Sequence, residues 1–525
     1  MTRARLLALV VPLVLAGCSP GTQDSGPVAA PERVSTTSGE LAGTVRGDAR
    51  TFQGVRFAEP PTGDRRWTLP TLAHRAQGTV DATRPGPQCP QAAGTNTSED
   101  CLFLDVTTPA RLDPDRKLPV MVWWHGGGYT SGAGSQYDAR RLADQGDVIV
   151  VTANKRLGIF GYFGAPGLKG SGTFGFADQI LATRWAKDNA AAFGGDPGNI
   201  TVFGQSDGGM AACALLTSPA ARGLVDKVAS MSGGSCQLDW PTGGLLPGTP
   251  AQTPYASLSD NEAVGRAAAD ALGCTGPDPV PCLRALPADR LVPQSIDFSN
   301  VLAYGSDLLP EDPAKAVREG HFAHVPVLTG GVAHEERSFV AGSEQAAPGT
   351  YTAAGYPAML SAAFGTAAAP VAREYPVTDY ASPALAFATV IDDASWSCPL
   401  DTGTGALAKQ TTVHAYEFAD PTAPNVNGVQ APGVPLEATH ASELPYLFDL
   451  GGKFLLTTAP QRTLAAAMIR YWSGFARTGT PSAPDAPAWP RYHRAADTLQ
   501  FTGTEIRTTD VAAEHRCDFW AGLDR

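Results

Sequence analysis

The stretch NITVFGQSDGGM, residues 199–210, predicts a strand that runs into a tight turn and then a helix, with one serine at the corner. β-Branched and aromatic residues at 200–203 favour the strand, and helix formers at 210–216 favour the helix. Ser206 lies in a G-x-S-x-G pattern, in which a serine at a strained corner has neighbours without Cβ atoms. The pentapeptide alone is common in a chain with 57 glycines. Its setting between strand and helix predicts that Ser206 is a nucleophile.

Short apolar runs elsewhere in the chain predict the architecture. Each is nearly continuous in hydrophobicity, as strands buried on both faces are. These runs are residues 120–124, 148–153 and 200–203, and residues 325–329 and 413–418 look like later strands of the same sheet. Residues 176–193 suit a crossover helix, and Leu464, Met468, Trp472 and Phe475 form a helical core stripe. The prediction is an α/β fold with a mostly parallel central sheet covered by helices on both faces.

Composition limits the classes of function. The 525 residues are 43% hydrophobic and 17% charged, so the chain can bury a large core. A formal net charge of −12 argues against a nucleic-acid partner, which would need a basic face. No C-x-x-C pair suggests zinc, and the predicted chemistry needs no metal or organic cofactor.

The N-terminus has the features of an export signal. Arg3 and Arg5 precede an apolar run at residues 6–15, shorter than the roughly 20 residues of a membrane span. The sequence LAGC then resembles a bacterial lipobox, which makes Cys18 a candidate for lipidation. The alternative is a plain secretory signal with a chance cysteine.

These features define the predicted domains. Residues 1–17 form the signal peptide, residues 18–36 a flexible tether and residues 37–525 the catalytic domain. The expected location is the outer face of the bacterial cell membrane, with the membrane contacted only through the lipid anchor.

Eight cysteines remain after Cys18, an even number that favours disulfides in an exported protein. Their short spacings predict the bridges Cys89–Cys101 and Cys274–Cys282. Because eight cysteines allow 105 pairings, the other four stay unassigned.

Three glycines follow the first apolar run, in HGGGY at residues 125–129. Such a segment lets the backbone come close to a ligand and aim N–H groups at a developing oxyanion. A plain glycine turn is the alternative. Together with the serine corner, the segment indicates acyl transfer.

Several segments together resemble the type-B carboxylesterase family, which includes the cholinesterases and has the α/β-hydrolase fold. They are HGGGY, SEDCLFLDV at residues 98–106, FGGDP at 193–197 and GQSDGG at 204–209. The similarity covers nearly the whole mature chain. It implies a serine esterase that acts on small-molecule carboxylic esters.

The resemblance also implies the triad residues. The acid of the family lies in a G-x-N-x-D-E-G-like segment, which matches the stretch at residues 331–339 and makes Glu336 the acid. The histidine precedes an E-x-P-x-x-F-like segment and corresponds to His440. From the residues alone, Glu335 competes with Glu336. The oxyanion donors would be the N–H groups of Gly127, Gly128 and Asp207.

Three residues depart from the family pattern. Gln205 replaces the usual glutamate beside the nucleophile. Asp207 replaces the usual alanine, so its carboxylate must turn away and be neutralised, for example by an arginine. Arg337 replaces a glycine and has Glu335 or Glu336 as possible ion-pair partners.

The predicted substrates are neutral aryl or alkyl esters. The loop between Cys89 and Cys101 has no aromatic residue to bind a quaternary ammonium. The alternative function is a catalytically weak, cholinesterase-like binding module, as in members of this fold family that have lost the triad.

Overall fold

One large sheet organises the computed structural model, which describes residues 27–523. Its eleven strands are β1 Thr44–Arg46, β2 Ala49–Arg56, β3 Phe103–Pro109, β4 Leu118–Trp124, β5 Ile149–Ala153, β6 Gly195–Gln205, β7 Lys227–Met231, β8 Val327–Val332, β9 Val413–Phe418, β10 Thr498–Phe501 and β11 Ile506–Thr509. The order across the sheet is β11-β10-β9-β8-β7-β6-β4-β5-β3-β2-β1. Strands β4 to β10 are parallel, and antiparallel pairs lie at both edges.

Helices connect and cover these strands. They are α1 Arg140–Gly146, α2 Gly158–Tyr162, α3 Phe174–Asn189, α4 Asp207–Thr217, α5 Leu258–Ala271, α6 Val280–Ala285, α7 Ala288–Leu291, α8 Pro313–Glu319, α9 Arg337–Ala346, α10 Tyr356–Phe364, α11 Ala368–Glu374, α12 Pro383–Ile391, α13 Cys398–Ala408, α14 Ala459–Thr478, α15 Val511–Glu514 and α16 Cys517–Ala521. Short additional strands pair outside the main sheet, among them Arg33–Thr36 with Gly39–Ala42.

Both faces of the sheet are buried because side chains along a strand alternate between them. All seven residues of β4 are buried. Met121 and Trp123 belong to a core shared with α1 and α14. Val122 and Trp124 belong to a second core shared with α3 and α4. The continuous apolar runs in the sequence reflect this two-sided burial.

The predicted elements lie where the sequence indicates. The runs at 120–124 and 413–418 fall in β4 and β9, and the crossover helix is α3. The four stripe residues of α14 are buried, with Trp472 fully so. The stripe is therefore core, as predicted.

The predicted tether boundary is wrong. Strand Arg33–Thr36 pairs in antiparallel register with Gly39–Ala42, and Val34 and Thr36 face inward. The segment's serine and threonine content suggested a linker, but its alternation of inward and outward residues builds a strand. The folded domain thus begins before residue 37. The signal peptide, Cys18 and residues 18–26 of the tether lie outside the described residues.

Both predicted disulfides, Cys89–Cys101 and Cys274–Cys282, are confirmed. Two further bridges join Cys213 to Cys236 and Cys398 to Cys517. The last links α13 to α16 across 119 residues of sequence. Within residues 27–523, no helix has the length and apolar character needed to cross a membrane.

Candidate active site

Ser206 occupies the corner between β6 and α4, with φ 59° and ψ −130°. A positive φ is strained for a residue with a side chain, and such strain is common at functional sites. The neighbouring glycines permit the close passage of backbone. A Cβ on Gly208 would lie 1.9 Å from the Trp124 carbonyl oxygen, and one on Gly204 would lie 2.4 Å from the Gly208 oxygen. The corner therefore requires the glycines of the G-x-S-x-G pattern.

His440 reaches the serine from the loop between β9 and α14. Its Nε2 lies 2.8 Å from Ser206 Oγ, and its Nδ1 lies 2.5 Å from Glu335 Oε2. The imidazole packs against the rings of Phe339 and Trp396, with centroid distances of 5.1 and 5.2 Å. The three side chains of Ser206, His440 and Glu335 form one hydrogen-bonded chain.

The prediction that Glu336 is the acid partner of His440 is wrong in this structure. Glu335 contacts the histidine, whereas the Glu336 carboxylate accepts a hydrogen bond from Trp396 Nε1 at 3.0 Å. Glu336 has helical backbone angles just before α9, and successive residues in a helical turn point about 100° apart. The two glutamates therefore face different partners.

The two assignments of the acid differ by one residue in the sequence register. Gly330 and Gly331 are adjacent, so either could open the segment that carries the acid. The Glu335 side chain is held at the end of β8, because its Oε1 accepts a hydrogen bond from the Val332 N–H at 3.0 Å. That contact orients the other oxygen towards His440. No feature of the sequence alone selects this glutamate.

Glu336 lies in an environment that disfavours a charge. Burial, the largest influence, raises the pKa of its carboxyl well above the usual range, against the lowering effect of Trp396. Its backbone N–H donates to Asp392 Oδ1 at 2.5 Å. Burial also raises the pKa of Asp392 to about 8. Burial therefore disfavours a charge on Glu336, which lies behind the site.

The glycine segment after β4 lies directly beside the serine. A Cβ on Gly126 would be 3.0 Å from Ser206 Cβ. Gly127 and Gly128 have φ values of 124° and 63°, and a Cβ on Gly127 would lie 2.2 Å from the Ser131 oxygen. Ser131 N–H donates to the Gly127 oxygen at 3.0 Å, which closes the turn. A side chain therefore does not fit at Gly127, and the positive φ at both Gly127 and Gly128 favours glycine.

The Asp207 carboxylate is fully buried and turned away from the pocket. Lys155, which follows β5, neutralises it in a buried ion pair. The predicted neutralisation is thus present, but the partner is a lysine and not an arginine. Nothing in the sequence marked Lys155, because its contact with Asp207 depends on how the sheet places the ends of β5 and β6 on either side of β4. Arg337 pairs with Glu437 at 2.6 Å and with neither triad candidate.

A cavity of about 640 Å³ opens onto Ser206 and His440. Among the described residues that line it, His440 is the only Asp, Glu, Lys, Arg or His. Its apolar wall includes Met210, Trp240, Leu245, Phe339, Trp396 and Leu444. Polar contacts come from Gln91, Gln205, Ser299, Asn300 and Asn427. Gln205 Nε2 lies 3.3 Å from His440 Nε2. The cavity can hold an uncharged molecule of moderate size.

The parallel sheet, the serine corner and the histidine loop together define an α/β hydrolase. Similar solved structures include a para-nitrobenzyl (PNB) esterase, with a TM-score of 0.76 and 29% identity over 93% of this chain and 99% of that one. A thermophilic PNB esterase has a TM-score of 0.75 and 29% identity, over 93% of this chain and 99% of that one. The predicted α/β-hydrolase fold is confirmed.

The model of the carboxylesterase family matches residues 30–520, so the chain belongs to this family. Para-nitrobenzyl esterase of Bacillus subtilis (strain 168) is 32% identical over 508 residues, covering 90% of this chain and 95% of the relative. Fumonisin B1 esterase of Sphingopyxis macrogoltabida is 32% identical over 509 residues, covering 90% and 86%. The protein is accordingly a carboxylic ester hydrolase.

Proposed function

We propose that the protein hydrolyses neutral carboxylic esters through an acyl-enzyme formed on Ser206. The observation that carries this proposal is the hydrogen-bonded chain from Ser206 Oγ through His440 to Glu335, at 2.8 and 2.5 Å. A nucleophile, a base and a group that orients the base are the components of nucleophilic acyl transfer.

In the first step, Ser206 Oγ attacks the ester carbonyl carbon while His440 Nε2 takes the hydroxyl proton. The tetrahedral intermediate then collapses, and His440 returns the proton to the departing alcohol oxygen. In the second step, water attacks the acyl-enzyme and gives its proton to His440. Collapse of the second intermediate releases the carboxylic acid and restores the Ser206 hydroxyl. Glu335 holds the imidazole tautomer and stabilises its charged form throughout.

The oxyanion of both intermediates would be bound by the N–H groups of Gly127, Gly128 and Asp207. The first two lie on the turn beside Ser206, and the third begins α4, whose N-terminus favours negative charge. One such donor contributes about 2.7–4 kcal/mol to transition-state stabilisation.

Titration with an organophosphonate tests this function. A fluorophosphonate should label the protein at one site per chain, at Ser206, and abolish hydrolysis of p-nitrophenyl butyrate in proportion to labelling. A protein that binds esters without the proposed chemistry, such as a weak binding module, would stay unlabelled. Peptide mapping of the labelled serine separates Ser206 from every other serine.

The uncharged cavity predicts the substrate class. We expect p-nitrophenyl butyrate to be hydrolysed with a kcat/KM at least about 10-fold above that of the p-nitrophenyl monoester of succinic acid. The reason is that a carboxylate in the cavity would lose water without gaining a cationic partner. Initial rates at several substrate concentrations give both values. Equal or reversed preference would contradict a neutral-ester site.

Membrane anchoring through Cys18 is a second part of the proposal, supported by the LAGC sequence behind an apolar run. Expressed in its bacterial host, the Cys18→Ala variant should leave the membrane fraction or remain unprocessed. Esterase activity in membrane and soluble fractions provides the measurement. The Ser25→Ala variant, changed in the same segment, should stay with the membrane. If the Cys18→Ala protein is cleaved normally and carries no modification but stays in the membrane fraction, that result would contradict lipid anchoring.

A further inference from the structure

We propose that Lys155 and Asp207 are positioning residues for the oxyanion site: Lys155 anchors the glycine turn and keeps the Asp207 charge from opposing the oxyanion. This inference rests on the proposed function. It assigns a role to two buried charges that the triad chemistry does not use.

Lys155 contacts each part of the structure that forms the oxyanion site. Its Nζ pairs with Asp207 Oδ2 at the start of α4 and donates to the His125 carbonyl oxygen at 3.1 Å. The same ammonium lies 5.1 Å from the centre of the Tyr129 ring. His125 and Tyr129 flank the three glycines. One cation therefore fixes both ends of the glycine turn and joins them to the nucleophile helix.

The pair is shielded from solvent, so its charges are weakly screened. The side chains of Lys155 and Asp207 are 1% and 0% exposed. Removing the partner of a buried charge leaves that charge uncompensated, whereas removing both charges together does not. The two residues should consequently behave as a unit.

The Asp207 carboxylate lies close to a proposed oxyanion donor. Burial raises the pKa of Asp207, and Lys155 opposes that effect together with the backbone N–H groups of Tyr129 and Gly128. The Asp207 carboxylate is thus close to the backbone at Gly128 and Tyr129, beside the proposed oxyanion donors. Without Lys155, an ionised Asp207 would repel the developing oxyanion.

A neighbouring ion pair offers a matched control. The Arg156 guanidinium binds Asp178 through two hydrogen bonds of 2.8 and 2.7 Å, and the Arg156 backbone N–H adds a third of 2.9 Å. Both side chains are buried. The Arg156 guanidinium also donates to the Thr68 carbonyl oxygen at 2.9 Å. None of these contacts involves the glycine turn. Loss of this pair should therefore affect stability without the specific effect on the oxyanion.

The test is a double-mutant cycle with Lys155→Met, Asp207→Ala and the double variant. It measures kcat and KM on p-nitrophenyl butyrate, together with the affinity of a trifluoromethyl ketone whose adduct places an oxyanion in the site. We expect Lys155→Met to lower kcat about 100-fold while KM changes less than about 3-fold. The affinity for the ketone should fall by a factor similar to that for kcat. The double variant should recover at least about 10-fold over Lys155→Met.

Unfolding by urea separates this effect from general destabilisation. The Arg156→Met/Asp178→Ala control should unfold at a lower urea concentration than the wild type. Its affinity for the ketone should stay within about 3-fold of the wild-type affinity. Lys155→Gln, which keeps a donor for the His125 oxygen, replaces Lys155→Met if that variant does not fold. Additive losses in the cycle, or unchanged ketone affinity in a destabilised Lys155 variant, would overturn the inference.

Phosphonate labelling distinguishes failure of this inference from failure of the proposed function. Normal labelling of wild-type Ser206 with an additive cycle would overturn the positioning role alone. An unlabelled wild-type Ser206 would overturn the proposed function, and the positioning role with it.

Discussion

Replacing Ser206 with alanine is expected to lower kcat on p-nitrophenyl butyrate by a factor of about 10⁴ or more. The hydroxyl is the proposed nucleophile, and its Oγ is the atom 2.8 Å from His440 Nε2. Among the described residues, Ser206 is the one whose hydroxyl is hydrogen-bonded to His440 Nε2. His440→Ala should cause a loss of similar size, because the serine hydroxyl is a poor nucleophile without its base. The double variant should lose little more than either single variant.

The matched control is Ser232→Ala. Ser232 follows the adjacent strand β7, is buried, and also has a positive φ, of 48°. Its Oγ has no hydrogen-bond partner in the described part of the chain. The kcat of this variant should stay within about 3-fold of the wild-type value. The Ser206→Ala protein should be produced in a host without a background esterase and then purified. Turnover like that of the wild type in this preparation would remove Ser206 from the mechanism.

The sequence predicted the sheet and the serine corner because both depend on local patterns. Two-sided burial produces runs such as residues 120–124, and the close passage of backbone at Ser206 excludes Cβ atoms from Gly204 and Gly208. The resemblance added His440, whose segment in the sequence has one register. These residues could be predicted because the constraint that selects each of them lies within a few neighbouring residues.

Other features depend on contacts between distant segments. The pair of Lys155 and Asp207 joins the ends of two strands that are 52 residues apart in sequence. Likewise, the hairpin of Arg33–Thr36 and Gly39–Ala42 is extended by the distant strand Thr79–Asp81, which pairs in parallel register with Gly39–Ala42. Composition alone indicates a linker there. Long-range pairing and the direction of single side chains are the parts that the sequence left undetermined.

The choice between Glu335 and Glu336 decides which residue is the acid partner of His440. Sequence chemistry cannot make this choice, because the two residues are chemically identical and adjacent. Their environments differ sharply in the folded protein. Glu335 accepts from Val332 N–H and contacts His440 Nδ1, and both partners stabilise a carboxylate. Glu336 is buried beside Trp396 with a raised pKa, and one of its oxygens, Oε1, has no partner among the described residues. The hydrogen-bond partners of Glu335 therefore suit the acid role better than those of Glu336.

Exchange of each glutamate for glutamine tests this difference with the smallest change in shape. Glu335→Gln is expected to lower kcat by about 10³–10⁴, since a neutral amide cannot stabilise the imidazolium and can turn its NH₂ to His440 and hold the wrong tautomer. Glu336→Gln should keep kcat within about 5-fold, because glutamine closely mimics a protonated glutamate and still accepts from Trp396 Nε1. The measurement is kcat on p-nitrophenyl butyrate, with circular dichroism and urea unfolding to establish that both variants are folded. A larger loss in Glu336→Gln than in Glu335→Gln would return the acid role to Glu336 and contradict the geometry around His440.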